Sequence, residues 1–388
     1  MKVAIIITRY YPFIGGAEVF AQEFAEYLVK RGWEVDVITM CPDRSLNKLE
    51  KINNVMVHRI KVGRIKYLSF LISYIRLLWY ILKLNKAKNY DLIHAVSDGL
   101  PSIIAITIKK LKRKSSIITI QGGNISAGFE NSLSGRLLRK LQKWSFRNAD
   151  LVHVISQSLA KGAKKLGAEN IVVIPNGVDN QFFKPIDKEQ LRKRHDFSTE
   201  ENIVISVARL NPVKGIDCLI KAVALVVEKI TNLRLIVVGD GEQREELEGL
   251  IAQLHLDPNV QLLGFLPRRQ IPEYLNLADV FVLPSRHEGL GIALIEAMAC
   301  GVPVIGSNVD GIVDIIDSGK NGILVPPDNE KALAEGIERL LCDKNLRDKF
   351  IKEGLRKVEE KFLWDSILRQ IEEIYISLAK NKDMKGSR

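Results

Sequence analysis

The sequence predicts an α/β protein of two doubly wound domains, each built on a parallel sheet with helices on both faces. Its 388 residues suit two domains of the usual size. Short, β-branched apolar segments alternate with helical periods along the chain, a pattern typical of buried parallel strands. The alternation comes in two successive sets, separated by the turn-rich stretch Pro175–Asp179. We therefore expect one domain over residues 1–178 and a second over residues 179–363.

The first set contains predicted strands at Lys2–Ile7, Glu34–Thr39, Val55–Ile60, Asp91–Ala95, Ser116–Ile120, Leu151–Ile155 and Ile171–Ile174. Helical periods fill the intervals, as at Glu18–Arg31 and Leu133–Phe146. The second set has predicted strands at Asn202–Val207, Arg234–Val238, Val260–Leu263, Val280–Leu283, Val302–Ile305 and Gly322–Val325. Because ligands of open parallel sheets bind beyond the carboxyl ends of the strands, functional residues are expected in the loops after these strands, in a cleft between two facing domains.

One apolar segment, Tyr67–Leu84, approaches the roughly 18–20 residues of a membrane span. Arg76 lies at its centre, where a charge costs about 2.5–3.5 kcal/mol on insertion scales. Basic residues flank the segment on both sides, so it has no clear topological bias: Lys61, Arg64, Lys66, Lys83, Lys86 and Lys88. We expect a helix that lies against its domain or on a bilayer surface; a long core helix is the alternative.

The composition is that of an ordinary globular protein, since 46% of the residues are hydrophobic and 27% are charged. These values exclude disordered, collagen-like and disulfide-rich proteins. The four cysteines, Cys41, Cys218, Cys300 and Cys342, form no CxxC pair, so neither a zinc knuckle nor a dithiol redox motif is present. The apolar run Met1–Thr8 is too short for a secretory signal. A cytoplasmic location is expected.

The charge is distributed unevenly. The whole chain carries a net charge of +11, but residues 1–175 hold 28 basic and 12 acidic side chains, a net +16. Residues 176–388 hold the remaining 29 basic and 34 acidic side chains, a net −5. Halves of opposite sign usually face different partners. The basic half would suit nucleic acid, an anionic membrane surface or a phosphorylated substrate.

Three loops after predicted strands could bind an anion. In the first, Gly15 and Gly16 precede a helix, where glycine lets the backbone approach a phosphate; a simple turn is the alternative. The second loop, Ala208–Gly215, carries Arg209 and Lys214 without a carboxylate between them, which suits a diphosphate. Its alternative interpretation is an exposed arginine and a lysine that flanks a helix.

The third loop, Pro284–Gly291, is the most specific. Gly289 and Gly291 precede the predicted helix Ile292–Cys300 and free backbone N–H groups for an anion. Glu288 precedes them, and Glu296 follows one turn inside the helix among apolar neighbours. A carboxylate in such surroundings needs a partner, and sugar hydroxyls would serve. Helix capping is the alternative role for Glu288.

Missing motifs exclude other chemistries. The sequence has no GxGxxG, no GxxxxGK[ST], no HExxH and no Asp-x-Asp, so a dinucleotide site, a P-loop NTPase and metal-dependent sites of these kinds are not expected. His94 and His153 follow buried strand segments, where a hydrogen-bonded core role is favoured over catalysis.

Taken together, these loops resemble glycosyltransferase family 4, the retaining group with the GT-B fold. The stretch PSRHEGLGIALIEAMACGVPVI carries the E-x7-E pair of that family as Glu288 and Glu296. The segments PFIGGAE, PNGVD, ARLNPVKG and GILVPPDN also match, in the right order along the chain. The resemblance implies the GT-B fold of two Rossmann-like domains, with the last helix, about residues 364–380, packing back on the first domain.

The resemblance also implies a hexosyltransferase that takes a UDP- or GDP-sugar as co-substrate, without metal or cofactor. Arg209 and Lys214 would neutralise the diphosphate, Glu288 would hold the sugar, and Glu296 would hold the ribose. These roles make Arg209, Lys214 and Glu288 the catalytic candidates. The further donor-binding residues implied are Gly15, Gly16, Gly264, Phe265, Leu266, Gly289, Leu290 and Gly291.

One position departs from the family pattern. Members of the family often carry a histidine after the strand near Ile117–Ile120, where this chain has Gln121. A glutamine amide can hydrogen-bond a sugar hydroxyl or a developing charge, but it cannot take a proton. Gln121 and Asn124 are therefore expected to position the acceptor, while the leaving diphosphate takes the acceptor proton in a same-face, retaining reaction.

The acceptor is expected to be a glycan or a lipid-linked molecule of polysaccharide or glycolipid biosynthesis, bound by the basic first domain. That domain would lie peripherally on the inner face of the cell membrane. Two alternatives remain: a GT-B epimerase or hydrolase acting on nucleotide-sugars, and a non-catalytic protein that binds nucleotide-sugars or nucleic acid. The complete set of Arg209, Lys214, Glu288 and Glu296 argues against the second alternative, so no nucleic-acid partner is expected.

Overall fold

The computed structural model describes residues 1–13, 15–41, 43, 45–61, 68–122 and 133–386. The chain forms two compact units. The first unit comprises Met1–Pro175 together with Leu368–Arg388, and the second comprises Asn176–Ile367. The chain thus passes into the second unit after Pro175 and returns to the first after Ile367.

The described part of the first unit contains an eight-stranded sheet. Its strands are β1 (Lys2–Ile7), β2 (Glu34–Cys41), β3 (Leu49–Ile52), β4 (Val55–Lys61), β5 (Leu92–Val96), β6 (Ser115–Ile120), β7 (Leu151–Val154) and β8 (Ile171–Val173). They lie in the order β3-β4-β2-β1-β5-β6-β7-β8. All neighbours are parallel except β3 and β4. The parallel core of the sheet agrees with the predicted fold class.

The edge strand β3 was not predicted from the sequence. Its side chains alternate between exposed and half-buried, so it lacks the continuous apolar run by which the other strands were recognised. Asn53 and Asn54 both have positive φ angles, 46° and 68°, and join β3 to β4. Two successive left-handed residues are what a tight antiparallel hairpin needs.

The helices of the first unit are α1 (Gly16–Lys30), α2 (Leu68–Lys88), α3 (Leu100–Lys112), α4 (Leu133–Asn148) and α5 (Gln157–Lys165). Helix α2 covers the apolar segment that approaches the length of a membrane span. Leu77 and Ile81 are fully buried, whereas Trp79 is 63% exposed. The α2 helix therefore lies against its domain by one face and is not a core helix buried all round. No described helix is long and apolar enough to cross a membrane.

The last helix, α14 (Trp364–Gly386), enters the first unit at Leu368. The hydroxyl of Tyr375, fully buried, hydrogen-bonds Nδ1 of His94. Glu372 accepts hydrogen bonds of 3.0 Å from the Tyr27 hydroxyl and from the Trp33 indole nitrogen. Residues beyond 367 thus form part of the core of the first unit.

The second unit contains a six-stranded sheet in which every neighbouring pair is parallel. Its strands are β9 (Asn202–Val207), β10 (Leu233–Val238), β11 (Val260–Gly264), β12 (Val280–Leu283), β13 (Val304–Ser307) and β14 (Ile323–Val325), in the order β11-β10-β9-β12-β13-β14. The strand order reverses direction between β9 and β12. In doubly wound sheets this switch point is where ligands bind.

The helices of the second unit are α6 (Lys188–Arg194), α7 (Ile216–Val227), α8 (Arg244–Gln253), α9 (Ile271–Leu277), α10 (Ile292–Ala299), α11 (Ile312–Ile315), α12 (Glu330–Cys342) and α13 (Lys344–Lys361). Their apolar faces bury strand residues such as Val237, Val282 and Ile305, none of which is exposed. The core thereby fixes the ends of β9 and β12, from which the two most informative loops leave.

Candidate functional site

Two of the loops singled out in the sequence meet at the switch point of the second sheet. Ala208–Gly215 follows β9, and Pro284–Gly291 follows β12. The two strands are direct neighbours, with Val280 paired to Val204 and Phe281 to Ile205. Because both strands are parallel, their loops leave from the same edge of the sheet.

Backbone contacts hold these loops together. Gly215 has a φ of +66°, and a Cβ there would collide with the carbonyl oxygen of Pro284. The backbone N–H of Arg286 donates to the carbonyl of Val213 at 2.7 Å. Only glycine combines the left-handed conformation with so close an approach. The short turn Pro212–Lys214, called the Lys214 turn below, therefore packs directly against the loop that carries Glu288.

Lys214 and Glu288 form an ion pair. The distance between Lys214 Nζ and Glu288 Oε2 is 2.5 Å, and the side chains are only 23% and 14% exposed. Glu288 also accepts hydrogen bonds from the Ser285 hydroxyl at 3.3 Å and from the backbone N–H of Gly289 at 3.2 Å. The structure thus brings together two of the three catalytic candidates. Their charges neutralise each other in this arrangement.

Arg209, the third catalytic candidate, begins the same loop and is exposed. Its side chain makes no ion pair with the residues that the structure describes, in contrast to Lys214. Its guanidinium is therefore available to an anion that approaches the ends of β9 and β12.

Arg286 was not among the residues predicted from the sequence. Its guanidinium makes two hydrogen bonds to the carboxylate of Asp217, at 3.0 and 2.8 Å, and a third to Asp328 at 2.7 Å. It also donates to the carbonyl of Pro212. Arg286 therefore ties the Glu288 loop to the Lys214 turn and to the start of α7. Its partners lie 42–74 residues away in the chain, so no local motif could have indicated this role.

Helix α10 begins after Gly291, whose φ is +93°, and carries Glu296 in its second turn. The Glu296 side chain is 12% exposed, and burial raises the pKa of its carboxyl to about 7. Nη2 of Arg268 lies 3.5 Å from Glu296 Oε1, and its charge lowers the pKa by less than burial raises it. The guanidinium of Arg268 also lies 5.5 Å from the centre of the Phe183 ring. Such a carboxyl is well suited to hydroxyl partners.

Arg268 is a second residue of the candidate site that was not predicted. It directly follows the loop Gly264–Pro267, from which a contact to the base of the nucleotide was expected. Gly264 ends β11 with a φ of +76°, and Phe265 after it is 66% exposed. The basic pair Arg268-Arg269 after this loop was the available signal, but nothing in the sequence linked it to Glu296, 28 residues later.

The remaining candidates belong to the first unit. Gly15 precedes α1, and Gly16 is its first residue. Gln121 directly follows β6 and is half-buried. Strand order places β1 and β6 on either side of β5, so both loops lie at the same edge of the first sheet. Asn124 lies outside the described residues.

The two histidines assigned to the core are buried in the first sheet. His94 Nε2 lies 2.6 Å from the Thr119 hydroxyl, which lies 2.9 Å from His153 Nδ1. The other ring nitrogen of His153 pairs with the carbonyl of Ile174 at 2.8 Å. Burial lowers the pKa of His94 to about 3 and that of His153 to about 4. Both rings are therefore neutral at pH 7 and serve the core. Among the described residues, no three His, Cys, Asp or Glu side chains gather into a metal site.

Comparison with protein families gives two consecutive matches. Residues 14–182 match the model of Glycosyltransferase Family 4, and residues 187–357 match that of Glycosyl transferases group 1. The first matched range covers most of the first unit, and the second lies within the second unit and contains both loops of the switch point.

Three related proteins align over nearly the whole chain. The uncharacterized glycosyltransferase MJ1607 of Methanocaldococcus jannaschii is 30% identical, over 97% of this chain and 98% of its own. The N-acetyl-alpha-D-glucosaminyl L-malate synthase of Bacillus anthracis is 29% identical, over 98% of both chains. The capsular polysaccharide biosynthesis glycosyltransferase CapM of Staphylococcus aureus is 30% identical, over 93% of this chain and 94% of its own.

Solved structures show the same fold. A sucrose-phosphate synthase from Thermosynechococcus elongatus superimposes with a TM-score of 0.85 at 25% identity, over 97% of this chain and 98% of the other. HepE of Anabaena, in complex with UDP and glucose, has a TM-score of 0.80 at 24% identity, over 97% and 100%. With its two parallel-sheet, Rossmann-like units and its full-length relatives, the chain belongs to glycosyltransferase family 4 and is a glycosyltransferase of the GT-B fold.

Proposed function

We propose that this glycosyltransferase transfers a hexose from a UDP- or GDP-sugar to a glycan or lipid-linked acceptor, with retention of configuration and without a metal ion. The observation that carries the proposal is the ion pair of Lys214 and Glu288 beside the start of α10. A cation, a carboxylate and the N-terminus of a helix are groups that suit a sugar diphosphate.

The diphosphate would replace Glu288 as the partner of Lys214. Arg209, on the same loop, would supply the second positive charge. When the bond between sugar and diphosphate breaks, negative charge grows on the leaving oxygen, and fixed cations stabilise it without reorganising. The release of Lys214 also frees Glu288 to accept hydrogen bonds from the hydroxyls of the donor sugar.

Glu296 and the Phe265 loop would hold the nucleoside. The carboxyl of Glu296 would accept hydrogen bonds from the ribose hydroxyls or, when protonated, donate one to them. Arg268 lies beside it. The exposed ring of Phe265 lies in the loop proposed to meet the base. HepE, which shares the fold, was solved in complex with UDP, and this supports a uracil nucleotide as the first donor to try.

Gln121 would position the acceptor, because its amide forms hydrogen bonds but takes up no proton. In a same-face reaction the acceptor proton passes to the leaving diphosphate oxygen, so that one C–O bond breaks as another forms on the same face of the sugar. The protein then needs to supply orientation and charge stabilisation but no base.

The acceptor is the part of the proposal on which the relatives differ. One is named for the synthesis of a malate glycoside, another for capsular polysaccharide biosynthesis. The net charge of +16 on residues 1–175 favours an anionic acceptor, such as one carried on a lipid phosphate in polysaccharide or glycolipid biosynthesis.

A donor screen followed by one substitution tests the proposal. UDP-, GDP- and ADP-sugars are compared by thermal shift, because a ligand that binds only the folded protein raises its stability. The labelled donor that binds is then incubated with and without acceptors, and the products are analysed. Free sugar alone would indicate a hydrolase, and a changed nucleotide-sugar would indicate an epimerase.

Lys214→Ala should lower the turnover of that donor at least a hundredfold, since the loss of one stabilising charge costs about 2.7–4 kcal/mol in comparable sites. Lys229→Ala is the matched control, because Lys229 also pairs with a glutamate, Glu338, but on an exposed surface. Near-normal turnover of Lys214→Ala would contradict the proposal.

A further inference from the structure

Helix α2 presents an apolar stripe to solvent. Ile72, Ile75 and Trp79 are 41%, 55% and 63% exposed. Their spacing of three and four residues places them on one face of the helix. Large apolar side chains exposed singly are common, but three in one row mark a surface that binds something.

Cations border the same face. Arg76, Lys83 and Lys86 are exposed, and their positions extend the stripe by helical spacing. Lys83 Nζ lies 5.5 Å from the centre of the Trp79 ring, so the two side chains form a cation–π contact on this face. Helix α2 contains no Asp or Glu to neutralise these cations.

The opposite face fixes the helix in this orientation. The Tyr74 hydroxyl lies 2.9 Å from that of Thr107 on α3, and the Tyr80 hydroxyl lies 2.9 Å from Nδ1 of His58 on β4. At the end of the helix, Lys88 pairs with Asp36 at 2.7 Å. These contacts come from three different positions along α2, so the stripe cannot turn inward.

We propose that this face of α2 is a docking surface for an anionic lipid bilayer. Trp79, Ile75 and Ile72 enter the boundary between headgroups and acyl chains, and the cations around them lie among lipid phosphates. An apolar stripe edged by basic side chains is the pattern of a helix that lies in the membrane interface. The helix lies on the membrane and does not cross it.

The charges select this partner over a second copy of the chain. Two copies meeting at this face would place Arg76, Lys83 and Lys86 against their own counterparts, with no acidic residue on either helix. An anionic bilayer instead offers a negative potential, and each cation near its surface increases partitioning roughly fivefold. Nucleic acid would satisfy the cations but would leave the apolar stripe exposed.

Flotation with vesicles tests the proposal. Full-length protein is mixed with phosphatidylcholine vesicles or with vesicles containing phosphatidylglycerol, at low and at high salt. We expect flotation with the anionic vesicles at low salt and little with the neutral ones. High salt should weaken the binding through screening of the headgroup charges. Absence of flotation with anionic vesicles at low salt would overturn the proposal.

Substitutions locate the surface. Trp79→Glu and Ile75→Glu should each reduce partitioning at least tenfold. Leu49→Glu, on the edge strand β3 of the same unit, is the matched control because Leu49 is exposed to the same extent as Ile75, 55%. All three positions are solvent-exposed, so unfolding is not expected, and circular dichroism checks this. Unchanged flotation of Trp79→Glu and Ile75→Glu would show that another surface binds.

A milder variant provides a direct readout. Trp79→Phe should keep most of the binding while it removes most of the quenching of tryptophan fluorescence by brominated lipids. Sedimentation of the free protein tests the competing occupant: a dimer that Trp79→Glu dissociates, without vesicle binding, would assign this face to a second copy. Donor binding by the second unit is measured separately, so failure here leaves the proposed reaction standing.

Discussion

At the scale of single residues, the pairing of Lys214 with Glu288 makes a counterintuitive prediction. The carboxylate of Glu288 lies 2.5 Å from the Lys214 ammonium group, which in the proposed donor complex would bind the diphosphate instead. If Glu288 acts as proposed, Glu288→Gln should therefore bind free UDP or GDP more tightly than the wild type but lose turnover, because the donor sugar would lose its proposed hydrogen-bond partner. Calorimetric titration of the nucleotide measures the first effect.

The control for this prediction is Glu338→Gln, which releases Lys229 from its exposed pair in the same way. Its nucleotide affinity should equal that of the wild type. Weaker nucleotide binding by Glu288→Gln would mean that Glu288 orders the site rather than competes for Lys214.

Glu296 predicts an unusual dependence of stability on pH. Its carboxyl has a pKa near 7 in the folded protein and about 4.5 when unfolded. The folded state therefore retains a proton that the unfolded state releases, so stability falls as pH rises from about 4.5 to 7. Above pH 7 the full cost is about 3 kcal/mol, because a tenfold change in a proton-binding constant corresponds to about 1.36 kcal/mol.

Glu296→Gln should remove this cost. Relative to the wild type, the variant is expected to gain more stability at pH 8 than at pH 5, while its affinity for the nucleotide falls. Chemical unfolding of both proteins at the two pH values measures the difference. An equal effect of the substitution at pH 5 and pH 8 would contradict the raised pKa.

Some residues of the candidate site could be identified from the sequence more readily than others, for a physical reason. Glu288, Gly289, Gly291 and Glu296 follow one another along a single loop and helix, so their spacing is visible in the chain. Arg286 stands in the same loop, but its role depends on partners from distant segments. Only the folded sheet brings those segments to one edge.

At the scale of elements, Arg286 joins the two loops that carry the candidate site. Arg286→Ala should loosen the Lys214 turn without touching the donor and should raise the KM for the donor about tenfold, with a smaller effect on kcat. Arg286→Lys should recover little, because an ammonium group cannot make the paired hydrogen bonds to Asp217.

The control is Arg356→Ala on α13, which removes an arginine that also binds two carboxylates, those of Glu353 and Glu360. Its kinetics should match those of the wild type. An equal loss of thermal stability in both variants, together with an unchanged KM in Arg286→Ala, would reduce Arg286 to an ordinary surface ion pair.

Most elements were predicted because the parallel sheets leave continuous apolar runs in the chain. The strand Asn202–Val207 has the predicted bounds, and the helix predicted to begin at Ile292 does so. The strand expected at Val302–Ile305 instead spans Val304–Ser307. Pro303 has no backbone N–H to donate to a neighbouring strand, so the regular strand begins after it. The edge strand β3 was not predicted, because an edge strand buries few side chains and so leaves no continuous apolar run in the sequence.

At the scale of the whole molecule, acid should act oppositely on the two units. His94 and His153 are held neutral in the first unit, with pKa values of about 3 and 4 against an ordinary 6.5. Below pH 6.5 the two histidines bind protons in the unfolded state but not in the folded state. The first unit therefore loses stability as pH falls. Glu296 in the second unit favours low pH instead.

Calorimetry should therefore show that lowering the pH from 8 to 5 reduces the unfolding temperature of the first unit relative to that of the second. Thr119→Val, which removes the hydroxyl between the two histidines, should lower the first transition at both pH values. A pH-independent gap between the transitions would contradict the neutral, buried state of the two rings.

The course of the last helix has a consequence for how the protein is made. Tyr375 and Glu372 complete a core whose other members lie within the first 175 residues, yet a ribosome reaches them only after it has synthesised all of residues 176–367. The second unit can finish folding during translation. The first unit cannot complete its core until the residues after Ile367 have been synthesised. A gene fragment cut after Pro175 should accordingly give aggregated product, and supplying residues 364–388 as a separate peptide should restore solubility.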